Sequence, residues 1–165
     1  MNFAHFHLIV NHIPLIGLLF AFITFLYSLI KKSEEVRKVA LILFIIAGIS
    51  SIPTYFSGGE AEEIVEHLAG VTEHMIEEHE EAAEVAFVLT LITAGIAVGG
   101  LLLTQFSKQI TIALVISSIV SFAFMSNAAK LGGEIRHQET RDKFSVPKAS
   151  HLGENKEHHE KDDDD

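Results

Sequence analysis

Four stretches without a single charge constrain this chain more than any other feature. Ile13–Ile30, Val39–Phe56, Val85–Thr104 and Ile110–Ala129 contain no Asp, Glu, Lys or Arg. Each is close to the ~20 residues that a helix needs to cross a hydrocarbon core ~30 Å thick. Helices of a water-soluble domain keep a polar face, and these runs have none. Strands in lipid would have to close into a barrel with alternating polarity, which is missing here. The expected fold is therefore all-α, a four-transmembrane-helix bundle in a lipid bilayer. The spans are predicted at about 8–30, 37–57, 80–105 and 109–130, within one membrane domain covering 1–144.

The charges lie between the spans, and their signs are sorted. Lys31, Lys32, Arg37 and Lys38 fill the first connection, and Lys108 sits in the third. The second connection has neither Lys nor Arg. The positive-inside rule then puts connections one and three in the cytoplasm, with both termini and the second connection outside. In a bacterial inner membrane, outside is the periplasm. The N-terminus has no basic stretch ahead of its apolar run, so the first span is expected to be retained. A net charge of −10 argues against nucleic acid as a partner. With no cysteine, thiolate metal sites and iron–sulfur clusters are excluded.

The second connection, Gly58–Glu84, holds ten glutamates and three histidines. Pro53 and Gly58–Gly59 predict a break after the second span. Ile64, Val65 and Leu68 then mark one side of a short amphipathic outer helix at about 60–69. Gly70 suits a helix C-terminus, and Thr72 suits the N-cap of the next helix. From Thr72 to Gln105 that helix would be about 50 Å long at ~1.5 Å per residue, longer than the bilayer core. Residues 145–165 are polar, end in DDDD, and are expected to be a disordered tail.

Of the ten histidines, none lies in the two basic connections. His79 is spaced three, four or seven residues from Met75, Ala82 and Ala86, a face expected to point into the bundle. His137 is spaced similarly from Gly133 and Ser126, with Glu134 beside it. His12 shares a face with His5, Leu8, Ile9 and Ile16. His12, His79 and His137 are thus predicted to point inward from three helices. His7, turned about 140° from His12, is the fourth candidate. Neutral imidazole is the commonest metal ligand near neutral pH. These histidines, with Glu78 and Glu134, form a donor set suited to a non-haem metal, Fe, Cu or Zn. Two inward histidines on facing helices would instead hold haem b, with Arg136 near a propionate. Glu134-x-x-His137 also matches a di-iron spacing, but such pairs arise by chance in a chain this rich in Glu and His. The plainer alternative makes each histidine a helix-end residue in water or hydrogen-bonded to a glutamate, and the glutamate run a solvated face.

The segments HLIVNHIP, AEEIVEHLAGVTEHMIEEHEEAAE and LGGEIRHQE resemble a group of small bacterial four-span membrane proteins of unknown function. The resemblance covers most of 5–140. It implies a compact four-helix bundle with its histidines at one end and points to His7, Asn11, His12, Glu66, Glu78, His79, Arg136 and His137. It supplies no activity. The leading expectation is a membrane metalloprotein for electron transfer or metal handling, working with a periplasmic redox protein or a larger complex. The rival is an accessory subunit that docks such a complex. No nucleophile–base arrangement, phosphate loop or nucleotide fingerprint is present, so a hydrolase or kinase is not expected, and any enzymatic part would be that of a redox, electron-transfer subunit. Transport is disfavoured because no span carries a charge at its middle.

Overall fold

The computed structural model describes residues 3–103, 107–137 and 140–141; the tail at 145–165 lies outside the described residues. The helices are α1 (Phe3–Val10), α2 (His12–Lys31), α3 (Glu34–Val65), α4 (Glu73–Leu102) and α5 (Ser107–Arg136). α1 and α2 together make one span, and the described residues contain four helices long and apolar enough to cross a membrane. The chain is an all-α, multi-pass bundle whose apolar helices suit a lipid bilayer.

Two local expectations change. The first span is divided at Asn11. Pro14 has no N–H to give to the Val10 carbonyl four residues back. The Thr54 hydroxyl of α3 donates to that carbonyl instead, at 3.2 Å. The predicted break after Pro53 and the separate outer helix at 60–69 do not occur. α3 runs unbroken through Pro53 and Gly58–Gly59 to Val65. A proline is tolerated in a membrane helix where neighbouring groups take up freed backbone atoms. Here Gly58 lies inside the helix and packs against a ring from α1. Gly132–Gly133 likewise lie inside α5. The chain turns only after Val65, where Gly70 adopts φ 80°, a left-handed conformation that favours glycine. The Thr72 side chain then accepts from Met75 N at 3.4 Å, capping α4 as expected.

α2 packs on α3, α3 on α4 and α4 on α5, while α2 meets α5 more sparingly. α1 leans on α3 rather than on α2. Between α2 and α3 the core is apolar, with Phe25 and Phe44 edge to face at 6.1 Å between centroids. Between α4 and α5 the contact is polar, Thr93 Oγ1 to Ser121 Oγ at 2.8 Å. The outward surface carries large apolar side chains such as Phe20, Ile49 and Ile116, all more than half exposed. Small and hydroxyl residues inside with large apolar ones outside is the pattern of helices packed in lipid. The bundle has an acidic end, formed by α1, the α3–α4 turn and the end of α5. Its opposite, basic end carries Lys31, Lys32, Arg37 and Lys38.

Candidate ligand site at the acidic end

Two imidazoles are fixed at the acidic end by the same device. His7, on α1, is half-buried, with Nδ1 3.1 Å from the Thr54 carbonyl oxygen and 3.1 Å from Ser57 Oγ. A carbonyl can only accept, so Nδ1 carries the proton and donates. In the neutral ring the lone pair is then on Nε2. Ser57 Oγ donates to the same carbonyl at 3.0 Å. His79, on α4, places Nδ1 3.0 Å from the Ala128 carbonyl oxygen of α5, and the same logic leaves its lone pair on Nε2. Histidines that ligate metals are commonly oriented in this way, with the second ring nitrogen bound to a backbone carbonyl.

Each ring lies against a glycine of the neighbouring helix. A Cβ on Gly58 would sit 3.5 Å from Cε1 of His7. A Cβ on Gly132 would sit 2.9 Å from Cε1 of His79, too close without a shift of the ring. His79 and His12 both lie within electrostatic reach of His7. One helical turn from His7, Asn11 Oδ1 is buried without a hydrogen-bond partner, an acceptor that the described residues leave unsatisfied.

Unlike this pair, His12, His137, Arg136 and Glu78 are exposed. His12 is exposed, which overturns its predicted inward direction. Its companions Leu8, Ile9 and Ile16 are all about half exposed and face outward with it. In lipid, apolar side chains mark the outer face as readily as the core, so their phase does not tell inside from outside. His137 is exposed just beyond the end of α5, and Arg136 is exposed as the last residue of that helix. Glu78 is exposed and pairs with His74 at 3.6 Å. Glu134 is partly buried and pairs with Lys130 at 3.6 Å, while its carbonyl accepts from Arg141 Nε at 2.8 Å. Arg141 also donates from Nη1 to the Gly70 carbonyl at 2.6 Å, tying the end of α5 to the α3–α4 turn. Among the described residues, no group of three or more His, Asp or Glu is placed to hold a metal ion.

Sequence reasoning ranked His7 behind His12 and missed Thr54, Ser57 and Ala128. The usable signal was the small and hydroxyl residues. Thr54, Ser57 and Gly58 share a side of α3, and a histidine of α1 had to meet that side. No protein-family model, curated protein or solved structure matches this chain, so its function has to be read from these residues.

Proposed function

We infer that this chain is an inner-membrane protein of bacteria that holds a haem or a non-haem transition metal at its acidic, periplasmic end and serves electron transfer or metal handling. His7 and His79 are the ligating pair. One observation carries the reading: two imidazoles from different helices are each tied through Nδ1 to a backbone carbonyl, which leaves both Nε2 lone pairs for an electrophile. Haem iron or a d-block ion at that place would supply one-electron or ion-binding chemistry when bound. The orientation follows from the basic end, where Lys31, Lys32, Arg37 and Lys38 favour the cytoplasmic side. Glutamates around the histidines would draw in a cation or a positively charged redox protein.

The test is elemental analysis together with an optical spectrum of the detergent-purified protein. Stoichiometric Fe, Cu or Zn, or a haem band, is expected in the native chain and lost in His7→Ala/His79→Ala. A protein free of metal and haem after supply of both sinks the reading. The accessory-subunit reading is favoured by the exposed glutamates Glu73, Glu77 and Glu81 on α4. It would show as a co-purifying complex that survives His79→Ala and His137→Ala.

A further inference from the structure

The two halves of the bundle correspond at a set of buried positions. The shift along the chain that carries His7 to His79 also carries Leu18 to Thr90 and Ala21 to Thr93, and all four of those latter residues are buried. The shift that carries Gly58 to Gly132 carries Phe44 to Ser118 and Ala47 to Ser121, again all buried. It also carries Thr54 to Ala128, the two residues whose carbonyls receive the histidine protons. The short string Gly-Gly-Glu recurs at the corresponding place, Gly58–Glu60 and Gly132–Glu134. Helices α1 to α3 and helices α4 to α5 are therefore two versions of one hairpin. Both enter from the acidic end, as in parallel internal repeats of membrane proteins. Within each version a histidine on the descending helix donates to a carbonyl one turn before a glycine on the ascending helix, with its ring over that glycine.

We propose that His7 and His79 are equivalent axial ligands, one from each hairpin, of a single haem iron held between the halves. This rests on the ligand-site reading above and narrows it. A bare Zn, Cu or Fe ion wants three or four protein donors, and no such group is assembled among the described residues. Haem iron needs only two, because the porphyrin supplies the other four. The repeat supplies two donors of one type in matching local surroundings. α1 and α4 both pack on α3, and any contact between the two is slight, so a flat group between their histidines would displace little helix packing.

The experiment uses the full chain, purified in mild detergent from cells supplied with haem precursor and, separately, titrated with hemin. The expected result is one haem per chain with the absorption and EPR signature of a low-spin, bis-imidazole iron. His7→Gly and His79→Gly should each convert it to a high-spin, single-imidazole form. Imidazole added to the solution should restore the low-spin spectrum in both. The rescue shows that the variants are folded. His12→Gly should leave the spectrum as it was. Three results overturn the proposal: a haem spectrum indifferent to one of the two substitutions, a low-spin spectrum that imidazole does not restore, or a colourless protein. A colourless protein that carries Fe, Cu or Zn, released on replacing His7 or His79, removes the haem but keeps the two-histidine metal site. A protein with neither removes both.

Discussion

The two hairpins solve the same packing problem with different chemistry. Where the first buries Ala21 and Ala47 and sets Phe25 against Phe44, the second buries a hydroxyl pair, Thr93 and Ser121, together with Ala97 and Ser118. The first gains from dispersion between large rings. The second brings its backbones close and adds hydrogen bonds. In lipid there is little hydrophobic gain for either, because a side chain leaving the core enters an equally apolar solvent. Good contact shape and internally satisfied hydroxyls are what remain. Thr90 and Thr93 also bond to carbonyls of their own helix, at 2.7 and 2.9 Å, so few of these polar groups are left open. The histidine device is the same in both halves although the cores differ, which fits a demand on the histidines separate from packing.

That comparison can be broken most readily at the aromatic core. Phe44→Ala should lose the cavity part of the about 3–5 kcal/mol that large-to-small changes cost in water-soluble cores, the transfer part being small in lipid. Its counterpart Ser118→Ala should cost far less, and equal losses in a denaturing-detergent titration would show that the halves are not differently packed. Next comes the seam between hairpins. A Cβ on Gly48 would overlap the Cβ of Ala94, whereas one on Gly95 meets nothing within 4 Å. Gly48→Val should lose about 1–3 kcal/mol by overpacking in the same titration, and Gly95→Ala should be near neutral.

The glycines under the histidines sharpen the comparison at the site. Gly132→Ala should displace the His79 ring and weaken ligand retention at a cost of about 1 kcal/mol, the low end for overpacking. Gly58→Ala, with 3.5 Å of room, should leave His7 in place. Histidine ring NMR shifts report both, and an unmoved His79 signal in Gly132→Ala would contradict the close contact. The smallest effect belongs to the hydroxyl pair. Thr93→Val keeps the shape and removes the bonds to Ser121 and to the Leu89 carbonyl, and about 0.6 kcal/mol is expected for the interhelical one from the average for such bonds in membranes.

The spans were legible because charge-free runs of that length admit almost one solution in lipid, and the basic connection between Lys31 and Lys38 marked one end. What was not legible was facing. Leu8, Ile9 and Ile16 looked like a core stripe beside His12 but face outward. Pro53 and Gly58–Gly59 looked like a stop, since a helix ending there and a helix packed there use the same residues. Thr72 and Gly70 were readable because a cap and a left-handed turn depend only on neighbours in sequence. The carbonyls of Thr54 and Ala128 carry no side-chain signature at all. They became visible only once the partner helices were placed.

Those two carbonyls also set an order of assembly. The chain makes His7 first, but the group that orients it is on α3. His79 follows, and the group that orients it is on α5, the last of the described helices. Neither ring can be set by its own helix, and the second waits for nearly the whole chain. A group held by both imidazoles, as proposed, would therefore be loaded only once α5 is in place, and a truncation before Ala128 would yield a protein with His79 unaimed.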